Sequence, residues 1–189
     1  YGTVTAAEPR LLQGLQGPPW DIEPYLRVGG YEAWRKCVKE LDREGIVNEI
    51  KRSGLRGRGG AGFPTGTKWD KVLHHRIQER YFVCNAGEHE PGTFKDRYLL
   101  KHYPHQLLEG CLIAAYTVQA KASFIYINQE YEEERANLEK AIEQARARGL
   151  VGKNMLGTGE AIEIELFSGQ GTYVAGEETA MLESMQGRP

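Results

Sequence analysis

Glycine recurs at positions 54, 57, 59, 60, 62 and 66 of the stretch Gly54-Leu-Arg-Gly-Arg-Gly-Gly-Ala-Gly-Phe-Pro-Thr-Gly-Thr-Lys-Trp69. Glycine lets a backbone approach a ligand closely and adopt positive φ, at an entropic cost to folding. Successive exposed N–H groups in such a loop form an anion-binding concavity. Arg56, Arg58 and Lys68 add positive charge, and Phe63 and Trp69 offer flat apolar faces. An anion site beside a ring-binding surface is the chemistry of a nucleotide cofactor. The competing reading is a glycine loop that only punctuates structure.

Residues 57–62 match the pattern G-x-G-x-x-G. That fingerprint needs a strand directly before it and a helix opening within it. Residues 45–53 instead read as a short helix, and Pro64 interrupts any helix starting at Gly62, so the ordinary Rossmann turn is rejected. Two further polar loops carry glycine: 85–92, with Asn85, Gly87, Glu88 and Glu90, and 169–178, with Tyr173, Gly176, Glu177 and Glu178. Carboxylates suit ribose hydroxyls and ring N–H donors. Glu177 and Glu178 would equally stabilise a helix N-terminus. His102-x-x-His105 has Pro104 between its histidines and no third ligand in view, so no metal site is expected. Cys37, Cys84 and Cys111 are too widely spaced for a disulfide or cluster framework. They read as small buried hydrophobes in a reducing compartment.

The elements that must position these loops follow from periodicity. Helices are expected over 31–41, 46–53, 70–76, 106–120, 130–148 and 177–185, with Gly149 closing the fifth. Strands are expected over 80–85, 123–128 and 161–167. The acids at 132–134 read as a solvated face that suits the helix macrodipole. Strands alternating with helices predict an α/β fold, a Rossmann-like, mostly parallel sheet flanked by helices, with ligands at the strands' carboxyl ends. Residues 1–24 read as an irregular arm and 25–189 as the α/β domain. The chain has 189 residues and a formal net charge of −2. No basic surface suggests nucleic acid, and no apolar run reaches the roughly 20 residues a membrane helix needs. Gly187-Arg-Pro189 directly follows an expected helix and reads as an interior point of a longer polypeptide.

Three stretches together carry a family resemblance. The 54–69 stretch resembles the signature of the NADH-binding flavoprotein subunit of respiratory complex I and of its relatives in NAD-linked hydrogenases and formate dehydrogenases. Asn85-Ala-Gly-Glu-His-Glu-Pro-Gly-Thr-Phe-Lys-Asp-Arg97 resembles that family's second motif, and Tyr173-Val-Ala-Gly-Glu-Glu-Thr-Ala180 its third. The resemblance runs from about Tyr31 to Pro189. It implies FMN contacts at Gly57, Arg58, Gly59, Lys68, Asn85, Gly87, Glu88, Gly176 and Glu177. It implies NADH contacts at Gly60, Ala61, Phe63, Glu90, Tyr173 and Glu178, with the Phe63 ring against adenine and with Glu90 and Glu178 orienting the dinucleotide. No side chain is expected to act as a catalytic acid or base, because the cofactor carries the hydride chemistry.

Two positions depart from the family pattern. Its second motif usually reads Asn-Ala-Asp-Glu, and this chain has Gly87 at the Asp; the missing charge-assisted hydrogen bond is worth roughly 1.5–3 kcal/mol. Lys71 stands where some relatives carry a second aromatic. The resemblance further implies a C-terminal continuation with a ubiquitin-like domain and a 4Fe–4S helical bundle. It implies partner subunits that include a 2Fe–2S thioredoxin-like one, and a place in the cytoplasm or, as a peripheral subunit, on the cytoplasmic or matrix face of a membrane. An assembly domain without cofactor and a sensor of a phosphate-bearing ligand are the alternatives from other classes.

Overall fold

The computed structural model describes residues 15–169 and 177–187. In chain order its helices are α1 Ile22–Arg27, α2 Glu32–Lys39, α3 Arg43–Ser53, α4 Thr65–Leu73, α5 Lys95–His102, α6 Pro104–Thr117, α7 Glu132–Ala147 and α8 Glu178–Met185. The strands are β1 Tyr81–Ala86, β2 Ala122–Asn128 and β3 Ile164–Gly169. They form one parallel sheet in the order β1-β2-β3, with α5 and α6 between the first two strands and α7 between the last two.

Strand side chains alternate between faces. Cys84, Ile125 and Leu166 lie in one register row and Asn85, Tyr126 and Phe167 in the next. The first row belongs to the main core, with Leu108 and Leu112 of α6, Leu138 and Ile142 of α7, and Trp34 and Ile46 from α2 and α3. The second row meets α8: Tyr126 and Met181 are buried together, with Val83, Phe167 and Met185 around them. A parallel sheet flanked by helices is thus confirmed. α7 ends where expected, with the Gly149 and Leu150 N–H groups returning to the Arg146 and Ala145 carbonyls.

Two helices are capped from a distance. α2 begins at Tyr31, in the left-handed region at φ 62°, and its own sequence supplies no side-chain cap. Glu109 of α6, buried, accepts from Tyr31 N at 2.9 Å and Trp34 N at 3.0 Å. α5 likewise has no local side-chain cap, and the buried Glu88 accepts from Asp96 N at 3.1 Å and Arg97 N at 3.2 Å. Each carboxylate satisfies N–H groups that a helix start leaves without partners. Glu109 also accepts from the Tyr25 hydroxyl at 2.5 Å. Tyr31 Oη in turn lies 2.9 Å from His105 Nδ1, and His105 Nε2 2.9 Å from the Trp20 carbonyl. That network fastens the N-terminal segment to α6.

Arg80 plays the same fastening role at the other end of α6. Its buried guanidinium donates to the Leu73 carbonyl at the end of α4, the Val118 carbonyl at the end of α6, and the His75 carbonyl. The Gln119 and Gln78 side-chain oxygens accept from it as well.

Several local readings are corrected. The helix expected over 70–76 opens earlier, at Thr65 directly after Pro64, and ends at Leu73. Proline here stands at the helix boundary, where a missing N–H costs nothing. α3 starts at Arg43, because the Asp42 side chain accepts from Gly45 N and caps it. α5 has no counterpart among the expected helices. α1 straddles the boundary expected at residue 24, with Ile22 and Pro24 buried. The acids at 132–134 do not all face solvent: Glu134 is 1% exposed and lies 3.0 Å from Arg97 Nε. His102 and His105 fall on separate helices, and both ring nitrogens of the latter have protein partners.

Candidate functional site

The glycine stretch forms a loop closed at its neck. Arg56 and Pro64 make an antiparallel bridge, Gly57 N donates to the Phe63 carbonyl at 3.0 Å, and Thr65 N donates to the Leu55 carbonyl at 2.9 Å. Arg56 Nη1 reaches across to the Gly62 carbonyl at 3.0 Å. Between these ties residues 57–61 are exposed. Gly60 and Gly62 take positive φ, at 114° and 60°, and nothing lies within 4 Å of where a Cβ at Gly59, Gly60 or Gly62 would stand. The rim is open and glycine is required by its backbone. Phe63 is half exposed, and the Lys71 ammonium stands 5.6 Å from its ring centroid. Lys71 thus holds the ring by a cation–π contact.

Immediately after this loop, α4 presents Lys68, whose Nζ lies 2.8 Å from Glu178 Oε1 in the first turn of α8. This ion pair joins the first and third motifs. Glu177 is the N-cap of α8: its Oε2 accepts from Thr179 N and Ala180 N, both at 3.0 Å. Those N–H groups hold its carboxyl below the usual range. Tyr173 and Gly176 lie outside the described residues.

The second motif leaves the carboxyl end of β1. Asn85 Oδ1 accepts from Gly87 N at 3.1 Å. The Glu88 carboxylate is taken up by α5, with Lys95 Nζ 3.7 Å away, while its backbone carbonyl accepts from Tyr131 Oη and Asn128 Nδ2. Glu90 is exposed, and its carbonyl accepts from Thr93 N in the following turn.

Gly87 has a physical reason. A Cβ there would stand 2.7 Å from Tyr126 Cε1, and a Cβ at Gly169 would stand 1.8 Å from Tyr126 Oη. The Tyr126 ring fills the space between the ends of β1 and β3. It stacks on Phe167 at 5.9 Å with an interplanar angle of 14°, and its hydroxyl lies 3.3 Å from Ser184 Oγ of α8. Tyr126 does not stand out in the sequence as a site residue. Alternation places Tyr126 on the same face as Asn85, which is the signal that was available. A separate cleft of about 370 Å³, lined by Lys71, Val72, His75, Ile77, Glu79, Arg80 and Tyr81, includes none of the expected site residues.

A parallel sheet flanked by helices, with the polar loop 85–92 leaving the carboxyl end of β1, is the α/β architecture that takes ligands at its strand ends. Residues 50–189 match the model of the family described as the Nuo51 FMN-binding domain, and the chain belongs to that family. It is 47% identical over 167 residues to an NADH-quinone oxidoreductase subunit of Aquifex aeolicus, covering 88% of this chain and 39% of the relative. To the NADH-quinone oxidoreductase subunit of the same designation in Escherichia coli it is 45% identical over 178 residues, covering 94% of this chain and 40% of the relative. The chain thus spans about two fifths of the length of these curated relatives. Among solved structures, an NAD+-reducing NiFe-hydrogenase in the H2-reduced state matches with a TM-score of 0.75 and 38% identity, over 87% of this chain and 28% of that one.

The donor set suits a phosphate-bearing cofactor such as FMN. Open glycine N–H groups, the exposed Arg58 and the exposed Lys68 lie along one segment of chain. At Gly87 the fit takes a different form, since Tyr126 occupies the room that a side chain would use.

Proposed function

We propose that this chain is the FMN- and NADH-binding part of an NADH-oxidising flavoprotein subunit. The carrying observation is the Lys68–Glu178 pair, which brings the glycine loop to the helix that follows the sheet's third strand. In this reading Gly57, Arg58, Gly59 and Lys68 receive the FMN phosphate, and Asn85, Gly87 and Gly176 line the flavin. Glu88 and Glu177 shape that site by fixing the starts of α5 and α8. Gly60, Ala61 and Phe63 receive the adenine end of NADH, and Glu90, Tyr173 and Glu178 its nicotinamide end. FMN, when bound, supplies hydride acceptance from NADH and the release of single electrons. The chain's residues bind and align; none of them has to move a proton. Tight alignment of the two rings is what such a site contributes.

In this reading the electrons would be taken by iron–sulfur clusters of partner subunits, including a 2Fe–2S thioredoxin-like one, or of a C-terminal continuation with a 4Fe–4S cluster. The whole assembly sits at the cytoplasmic or matrix face of a membrane. Among the described residues no helix is long and apolar enough to cross one.

The test is an anaerobic visible spectrum of the complete flavoprotein before and after NADH. A flavin band that bleaches supports the reading. A band indifferent to NADH removes the dinucleotide assignments, and a colourless protein that FMN cannot reconstitute leaves an assembly domain as the better account.

A further inference from the structure

Helices α3 and α4 lead into and out of the glycine loop, and their far ends meet. Glu44 stands in the first turn of α3, Asp70 within α4, and His74 at the C-cap of α4. His74 Nε2 lies 2.7 Å from Glu44 Oε1, and His74 Nδ1 lies 3.2 Å from Asp70 Oδ1. One ligand atom from each of the three falls within 4.8 Å of the other two, a trio without a second instance among the described residues. None of the cofactor assignments uses these side chains.

The imidazole is supported as a metal-ligating ring is. Its Nδ1 lies 3.0 Å from the Asp70 carbonyl, which only accepts, so Nδ1 keeps its proton and Nε2 is turned to the Glu44 carboxylate. A backbone carbonyl on one ring nitrogen that orients the other is the usual support of a histidine ligand. Asp70 is supported as well: Lys51 Nζ holds its Oδ2 at 2.7 Å and leaves Oδ1 on the histidine side. Asp70 and His74 stand one helical turn apart, the spacing at which a helix offers two ligands to one ion. All three side chains are partly exposed, so an ion reaches them from solution. One nitrogen with two carboxylate oxygens suits zinc better than magnesium or calcium, which favour oxygen alone.

From this we infer that Glu44, Asp70 and His74 form a zinc site, with water as the fourth ligand. His74 Nε2 releases its proton to solvent as the ion binds. With ion–ligand bonds of about 2.0–2.2 Å, ligand atoms in a tetrahedral site stand roughly 3.3–3.6 Å apart, so rotation of exposed side chains closes the trio. The ion clasps the base of the helix pair that carries the glycine loop at its other end. The inference is independent of the cofactor reading.

The experiment titrates zinc chloride into the complete flavoprotein by calorimetry, alongside His74→Ala, Glu44→Gln and, as a control, His75→Ala. The expected result is one equivalent of zinc whose dissociation constant rises at least tenfold in the first two variants and stays within twofold in the control. Zinc should also slow amide hydrogen exchange across α3 and α4 in the unaltered protein and not in His74→Ala. Equal zinc affinity in the unaltered protein and His74→Ala, or no zinc binding at all, would overturn the inference and leave the trio an ion-pair cluster. Should a variant fail to fold, zinc-soaked crystals of the unaltered protein measured at the zinc absorption edge give the answer. An anomalous peak about 2.0–2.1 Å from His74 Nε2 supports the site, and peaks only elsewhere overturn it.

Discussion

The two faces of the sheet are built for different purposes. Under α6 and α7, Ile125, Ile127 and Ile164 are sealed at 0–3% exposure within one continuous core. On the opposite face Tyr81 is 55% exposed, Val83 and Phe167 are half-buried, and a small cluster around Tyr126 and Met181 does the covering. The first face and the remote cap by Glu109 hold the molecule together. The second face ends in Gly87 and Gly169 and carries the loops of the candidate site. Stability and recognition are therefore separable, and substitutions on the two sides should differ in what they change.

The sharpest test of that separation is Glu109→Ala. It leaves the Tyr25 hydroxyl and the Tyr31 and Trp34 N–H groups without their acceptor. A loss of about 3 kcal/mol is expected in urea denaturation; a loss under 1 kcal/mol would show that water replaces the carboxylate. Next comes Gly169→Ala, which drives a methyl into Tyr126 and should cost about 1–3 kcal/mol. The cost should shrink in a Tyr126→Leu background, and a double-mutant cycle reads the coupling. Equal costs in both backgrounds would mean that the strand end yields instead of the ring.

A pH effect follows from His105, whose pKa burial pushes below its ordinary 6.5. Between the lowered native value and 6.5 the unfolded chain binds more protons, so stability rises with pH there. The contribution is complete above about pH 6.5 and is lost as pH falls through the native value. Urea midpoints at acid and neutral pH should differ more in the unaltered protein than in His105→Gln; an equal difference would exonerate His105. The smallest stability effect belongs to Lys68→Ala. Its partner Glu178 and Lys68 itself are well exposed, so the change should stay within about 1 kcal/mol. FMN binding should nonetheless weaken at least tenfold. If stability and FMN binding fell together, the division between the two faces would be blurred.

The sheet was legible because Phe82–Cys84, Phe124–Ile127 and Ile164–Phe167 announce themselves by residue type and alternation. The long helices α6 and α7 were legible for the same reason of period. α5 and the true start of α4 were not. α5 receives its cap from Glu88, outside the helix, so no local signal marks its start. Pro64 looked like an interruption because a local reading cannot tell a helix boundary from a break. Glu134 looked solvated among its acidic neighbours, since only the folded chain brings Arg97 to it. The glycine loop and the acids at 88, 90, 177 and 178 were legible as types. That Glu88 serves the start of α5, across the loop to Asp96 and Arg97, depends on the folded chain, whereas the helix-start role of Glu177 was open to a sequence reading because its bonds to Thr179 N and Ala180 N are local. The reason for Gly87 depended on Tyr126, nearly forty residues away on another strand.

Arg80 has a consequence for conditions as well as for shape. Its acceptors are carbonyl and amide oxygens, which neither titrate nor carry net charge. A guanidinium remains protonated across the whole working range, and dipoles buried beside it are little affected by dissolved salt. The rivet between α4 and α6 is therefore blind to acidity and ionic strength. The helix that carries Lys68 stays anchored in media that would loosen the surface ion pairs around it.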